Sequence, residues 1–418
     1  MTSALGDRFF RHEYGRLVAI LSRRVGVHRL EAIEDAVQHA LLSAVETWTR
    51  TAIPDNPSAW LYRAAHNHVI GELRRRARRA ALDQAYGTET PEPTDEAHGV
   101  ALAGDIGDDL LRMLFVCCDD AIPVESQLVL ALKTLCGFDV PEISARLFAT
   151  EANVYKRLAR ARARLRELSH LPEDLSSDQL ASRLPAVQAI LYLLFTEGYL
   201  STHGEEVIRR ELCDEAIRLG EVLATHPVGA TPDTFALLAL MHLHRARLSS
   251  RDDGSGGLVL LEEQDRSRWD GVEIRVGLAW LARSADGDVF SRYHAEAGIA
   301  AEHCLAPSFT ETRWDRIVEC YVLLERLAPS AIHTLNRAVA TAEWRGPAEG
   351  LALLDGLAPP TWLAGSYMWA AVLADLHRRA GNDRDADRQR LVALETAPTP
   401  AIKELLRRRL TPASQMRS

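Results

Sequence analysis

The chain has 418 residues, of which 47% are hydrophobic and 26% charged, and a formal net charge of −9. Length alone suggests two to four domains, and no uncharged apolar run nears the roughly 18 residues that a membrane span needs. Aromatics make up only 6%, helix formers dominate and no stretch alternates for long, so the pattern predicts an all-α protein. The charge is unevenly spread. Residues 1–170 hold 22 basic and 23 acidic side chains, and the remainder holds 27 and 35. The first part is neutral on average, but its arginines are clustered, and clustering is what a phosphate backbone responds to. The six cysteines form no C-x-x-C pair and read as buried free thiols. No cofactor and no metal site is expected, and the N-terminus lacks a signal-peptide apolar core, so a cytoplasmic protein is expected.

Residues 7–26 form a first amphipathic helix, with Phe9, Phe10, Tyr14, Leu17, Val18 and Leu21 on one side. Residues 30–49 form a second. Ile33, Val37, Ala40, Leu41, Ala44 and Trp48 make its inner face, leaving Glu31, Glu34, Asp35, Gln38 and His39 outside. A polar loop, Thr49 to Asn56, leads to Pro57, which opens a third helix over 57–80. Trp60, Leu61, Ala64, Val69 and Leu73 face inward there, and Arg74, Arg75, Arg76, Arg78 and Arg79 crowd the end. Basic residues suit a helix C-terminus, but five in two turns exceed what the dipole needs. Residues 81–105, with two prolines and several acids, read as a flexible linker.

Residues 106–170 read as a compact helical unit built on Leu110, Leu111, Leu114, Phe115, Val129, Leu130, Leu132 and Leu135. It closes with a helix, a tight turn and a second helix. Asp139 caps the first of these, Glu142 answers three residues on, and Pro141 sits in the opening turn. Ile143 and Leu147 give it a buried side; Phe148, Ala149 and Thr150 make the turn. The second helix carries Val154, Leu158, Ala161, Leu165 and Leu168 on one stripe and Lys156, Arg157, Arg160 and Arg164 on another face. A solvated amphipathic helix is the plain reading. A helix-turn-helix reader of duplex DNA is the functional one, in which Glu151, Asn153, Tyr155 and Lys156 reach base edges and Arg157 and Arg160 meet phosphates.

Two basic helical modules on a tether suit two DNA elements a fixed distance apart. The first resembles region 2 of the extracytoplasmic-function (ECF) sigma factors of bacterial RNA polymerase, through Glu34-Asp35-Ala36-Val37-Gln38 and Trp60-Leu61-Tyr62-Arg63-Ala64-Ala65-His66-Asn67. The second resembles region 4, through Val154-Tyr155-Lys156-Arg157-Leu158 and Arg160-Ala161-Arg162. The resemblance implies a sigma factor with region 2 over 1–80 and region 4 over 106–170. Its partners would be core RNA polymerase (β′ clamp helices and β flap) and promoter DNA. Glu34, Asp35 and Gln38 would grip the polymerase. Arg63, Asn67, Arg74 and Arg75 would contact the −10 element, where unstacking a base costs a few kcal/mol. Helix 151–166 would read the −35 element. His39 and Gly71 depart from the family pattern, which has acids or amides there.

Sigma factors of this kind usually end near residue 170–190, and here a further helical half follows. Leu184 to Leu200 is strongly apolar and stops at Gly198; helices are expected over 205–226, 231–248, 271–284, 289–305, 311–327 and 331–344. Gly346-Pro347-Ala348 and Gly381-Asn382-Asp383 stand about 35 residues apart, a period matching paired-helix repeats. Residues 180–418 resemble the C-terminal tetratricopeptide-like domain of an ECF subgroup, a regulatory half that would receive a protein or peptide. The matching stretches are Leu193 to Tyr199, Leu237 to Met241 and Leu261 to Asp270, with Thr196 where that subgroup has Asn. In the last stretch Asp265, Arg266, Arg268 and Asp270 read either as a structural latch or, with Glu197, Tyr199 and Trp269, as a candidate site. Two rivals to the sigma reading stand. One is a helix-turn-helix regulator with a helical sensing domain, which leaves helices 30–49 and 57–79 unexplained. The other is an enzyme, for which no nucleophile–base set appears; Gly254-Ser255-Gly256-Gly257 lacks the GKS/T of a phosphate cradle.

Overall fold

A computed structural model describes residues 3–84, 108–167, 175–201, 208–251, 257–287 and 289–410. Most of the expected linker and residues 254–256 of the glycine loop lie outside these, as does Leu168. Helices and no strands are found among the described residues, in two compact units, 1–190 and 191–418.

The N-terminal unit opens with α1 (Ser3–Val25), α2 (Leu30–Arg50) and α3 (Pro57–Gln84), the last running four residues past its expected end. Leu17, Val18, Leu21, Ile33, Val37, Ala40, Leu61, Ala65 and Val69 form their shared core. Phe10, Trp48 and Trp60 extend it, with Phe10 and Trp60 packing on Trp48 at 5.8 and 5.6 Å. Trp60 is thus committed to packing, on the side that the apolar pattern indicated. Then come α4 (Asp109–Cys117), α5 (Val124–Thr134), α6 (Val140–Arg146) and α7 (Glu151–Glu167). The expected capping box is present: the Glu142 amide donates to Asp139 and the Asp139 amide to Glu142, both at 2.7 Å. Phe148 takes a left-handed φ of 49° in the turn before α7, and Asn153 N donates to the Thr150 hydroxyl. α8 (Ser177–Tyr199) follows, its Arg183 buried and donating to Asp119, Asp120 and the Phe115 carbonyl.

The two helical groups are docked, which the sequence did not indicate. Gly15 of α1 lies so close to α5 that a Cβ would stand 1.9 Å from the Leu135 carbonyl oxygen. Arg11 reaches Glu142 at 3.1 Å, and Arg23 reaches Asp109 at 2.8 Å. At the centre is Glu34, 4% exposed, which accepts from the Thr134 hydroxyl at 2.9 Å and from Arg162. Burial raises the Glu34 pKa even against the pull of Arg162 and Thr134.

The C-terminal unit continues with α9 (Arg210–Thr225), α10 (Pro232–Arg245) and α11 (Leu248–Arg251), then α12 (Gly271–Ser284), α13 (Arg292–Leu305), α14 (Trp314–Leu327) and α15 (Ala331–Arg345). It ends with α16 (Pro347–Leu354), α17 (Thr361–Ala364), α18 (Tyr367–Arg379), α19 (Asp383–Glu395) and α20 (Pro400–Leu410). Helices α10 and α13 pack on one another through an alanine-rich seam of Ala239, Ala297, Ala300 and Ala301, small side chains that let backbones approach. Gly346 and Gly381, both at positive φ, end α15 and α18, and each precedes another helix as the spacing indicated.

Arg162→Met leaves the Glu34 carboxylate buried without its counter-charge, a loss of about 3 kcal/mol. The Glu34 pKa, already raised by burial, rises further without Arg162, so the destabilisation is present above it and relieved as pH falls through it. Urea unfolding at pH 7.5 and at pH 5 checks this: the deficit of the variant shrinks at the lower pH.

Candidate nucleic-acid and polymerase interface

Helix α3 starts from a fixed cap. The Asn56 side-chain oxygen accepts the Ala59 amide at 2.9 Å, and Pro57 takes the first helical position. With Leu61, Ala65 and Val69 inward, Arg63, Asn67, Arg74 and Arg78 all face solvent. At 100° per residue they fall within about 60° of arc, one basic stripe. Arg63, Arg74, Arg76 and Arg79 have no carboxylate partner among the described residues. Arg75 pairs with Glu72, so its charge is partly spent within α3. At Gly71 an added Cβ would meet nothing within 4 Å, so the departure from the family pattern opens no hole and fills none.

Helix α7 gives a second basic surface. Val154, Leu158, Ala161 and Leu165 are buried; Glu151, Asn153, Tyr155, Lys156 and Arg160 are exposed and Arg157 is half-buried. Arg164, expected on the same basic face, is instead held 3.7 Å from Asp119 and 3.1 Å from Glu167.

A third surface lies on α2. Asp35, Gln38 and His39 are exposed as expected. Glu34 is not, which corrects its assignment to an exposed polymerase contact: one residue before Asp35 is a 100° rotation, and that turn points it at Thr134 and Arg162. Sequence reasoning also missed Leu42 and Val45, apolar yet 67% and 49% exposed. Both fall off the inner stripe of α2, which was the available signal. His39 lies 4.1 Å from His68 of α3, whose pKa burial and His39 lower. Tyr14 bonds Gln38, with its pKa pushed up by burial and then by Glu34.

In the C-terminal unit Glu197 is fully buried, accepts from the Ser201 hydroxyl at 2.6 Å and lies 3.5 Å from Arg209. Tyr199, Arg266 and Trp269 join a different set of side chains. Arg247 and Arg251 act on Tyr199, and Arg247 shares the Trp269 ring with Arg266. The latch reading of 261–270 holds for Arg266, Arg268 and Asp270 but not for Asp265, which accepts from Ser267 within its own turn. Arg266 donates to the His303 and Ala306 carbonyls, Arg268 to the Ser249 carbonyl, and Asp270 caps α12 through the Val272 and Glu273 amides. His242 and His244 point apart as expected, His242 to Glu273 at 2.8 Å and His244 to Tyr199 at 4.7 Å.

Residues 9–79, which span α1 to α3 and both the α2 face and the α3 stripe, match the Sigma-70 region 2 family. The chain belongs to the sigma-70 family. Residues 183–285 match a family of unknown function, DUF6596. Over 382 residues the chain is 35% identical to Uncharacterized protein R00370 of Rhizobium meliloti (strain 1021), covering 89% of this chain and 88% of that protein. No solved structure matches. As a sigma-70 family factor the chain acts in promoter-directed transcription through core RNA polymerase and promoter DNA, and such factors are initiation factors, not enzymes. Among the described residues no helix is long and apolar enough to cross a membrane, and no group of His, Cys, Asp or Glu could hold a metal ion.

The sigma-70 family factor should lose phosphate contacts one by one. In holoenzyme–promoter binding, Arg74→Ala and Arg78→Ala each lower the slope of log K against log salt by about 0.9. Arg75→Ala lowers it less, because Arg75 already faces Glu72. Filter binding from 50 to 200 mM salt reads all three.

Proposed function

We propose that the chain is an alternative sigma factor of the extracytoplasmic-function type. Core polymerase would dock on the α2 face of Asp35, Gln38, His39, Leu42 and Val45. Arg63, Asn67, Arg74 and Arg75 of α3 would meet the −10 element. The α6–α7 helix-turn-helix would present Glu151, Asn153, Tyr155, Lys156, Arg157 and Arg160 to the −35 element. The observation that carries this reading is that one unit exposes a partly apolar acidic face beside two basic helix faces. Apolar side chains exposed next to charged ones mark a protein-docking surface, and unpaired arginine stripes mark a phosphate surface.

The docked arrangement is then a resting form. The two promoter elements lie about 25 base pairs apart, roughly 85 Å at 3.4 Å per pair. A compact unit of this length is only about 40 Å across. One unit therefore cannot sit on both elements, and the contacts around Glu34, Gly15 and Glu142 must break in the working complex. The C-terminal unit would regulate this step. Its stacked helices, and the two glycine-started helix pairs at 346 and 381, support a tetratricopeptide-like arrangement that receives a protein or peptide.

Transcription in vitro with purified core polymerase tests the reading. The wild-type chain should support promoter-specific initiation, and Leu42→Arg should weaken core binding by tenfold or more while leaving the fold intact, since Leu42 is 67% exposed. A regulator of the simple helix-turn-helix kind would instead bind duplex DNA alone in a gel shift, with no dependence on core enzyme and no effect of Leu42→Arg.

A further inference from the structure

The C-terminal unit gathers three arginines that have no carboxylate partner among the described residues. Arg247 follows α10, Arg251 ends α11, and Arg266 lies in the segment before α12. Several other arginines of this unit are answered by carboxylates: Arg209 by Glu197, Arg245 by Asp214 and Glu273, Arg292 by Glu296, Arg337 by Glu325, Arg379 by Glu343. Arg247, Arg251 and Arg266 have no acidic partner among the described residues. They lie on rings instead. Arg251 stands 3.6 Å from the centroid of Tyr199, and Arg247 and Arg266 stand 5.1 and 4.6 Å from that of Trp269. Cation–π contact offsets part of a guanidinium's desolvation, but it does not neutralise its charge.

The neighbouring groups lack partners too. Arg247, Trp269 and His303 are each more than nine-tenths buried. Buried atoms without a hydrogen bond include Nε of Arg247 and Arg251, Nη2 of Arg266, Nε1 of Trp269, and Nδ1 of His244 and His303. Six such atoms in one neighbourhood, out of 16 among the described residues, is a concentration that a packed interior avoids. Both imidazoles stay neutral. Burial together with Arg247 and Arg266 pushes His303 down to about 3, and burial with Arg247 and Arg251 takes His244 well below its usual range. Burial alone would raise Tyr199, yet Arg247 and Arg251 pull it below the ordinary tyrosine range. Burial raises Cys304, beside the same arginines, to about 11, so the thiol supplies no anion. The neighbourhood holds three positive charges, two uncharged rings and several idle donors.

We propose that this cluster binds a multiply charged oxyanion, a phosphate or polycarboxylate group carried by a small molecule. Guanidinium forks match both groups in bidentate geometry, and a ligand of charge −2 to −3 balances the three arginines. The Trp269 indole N–H and the neutral imidazoles orient it. Ligand binding ties the 261–270 segment to α13 and to the end of α8 through Arg266, His303 and Tyr199. The site does not depend on the sigma reading of the N-terminal unit.

The full-length chain is titrated with inorganic phosphate and, separately, with citrate, against chloride at matched ionic strength, by calorimetry and thermal melting. A saturable one-to-one response is expected, with a Tm rise of about 5 °C at a hundredfold excess over Kd. A phosphate response without a citrate one, or the reverse, names the oxyanion. Arg247→Gln and Arg251→Gln should weaken binding at least tenfold, and Arg388→Gln, on the outer face of α19, should leave it unchanged. Should the cluster variants fail to fold, the wild type still reports: absorbance at 295 nm should show one tyrosine ionising ahead of the others and moving up in pH when the oxyanion is added. The proposal is overturned if neither anion gives a saturable response beyond that of chloride, or if folded Arg247→Gln responds as the wild type does.

Discussion

A single carboxylate, Glu34, organises the N-terminal unit. It comes from α2, whose outer face is the one proposed to meet the polymerase, and it is buried against Thr134 of α5 and Arg162 of α7, the second helix of the proposed helix-turn-helix. A buried ion pair adds little net stability over well-packed apolar residues, but it makes separation of its partners costly once formed. What it supplies is register. Gly15 against Leu135 allows the close approach, Arg11 with Glu142 fixes one edge, and Glu34 fixes the middle. The same contacts leave the α3 stripe and the outer face of α7 in solvent, so the docked form keeps its charges exposed.

The arginines sort by what answers them. Those of the α3 stripe are exposed and largely unpaired, which costs little in water and leaves them for phosphate. Arg183 and Arg209 are buried and Arg162 half-buried, and all three are paired and hold elements together. Arg247, Arg251 and Arg266 are buried or half-buried and have no carboxylate partner among the described residues, although Arg266 also donates to the His303 and Ala306 carbonyls. The net charge of −9 conceals all three groups, because each is defined by its neighbours within a few ångströms.

The helices were legible because their causes are local. Asp139, Glu142 and Pro141 announce the start of α6, and Pro57 starts α3; apolar spacing identified Leu61, Val69 and Val154 as inner residues. The crowd of arginines at the end of α3 was read as a basic patch, while Arg63 and Asn67 came from the family resemblance. What escaped depends on long-range packing. Glu34 is one helical position from the solvent face, and only the arrival of Thr134 and Arg162, 100 and 128 residues later, makes it an interior residue. Leu42 and Val45 look like core in composition and are surface in register. Of the candidate set in the second half, Tyr199, Arg266 and Trp269 were named, but Arg247 and Arg251, which complete the set, carry no motif. Their meaning lies in the acids that are not beside them.

The central claim is that the docked N-terminal unit of this sigma factor must open to work. Spin labels replacing exposed Arg76 on α3 and exposed Ala159 on α7, read by double electron–electron resonance in the full chain, measure it directly. Free protein should give one short, narrow distance distribution, and the promoter-bound holoenzyme a longer one, by tens of ångströms. A short distance that persists in a holoenzyme competent for initiation would contradict the account.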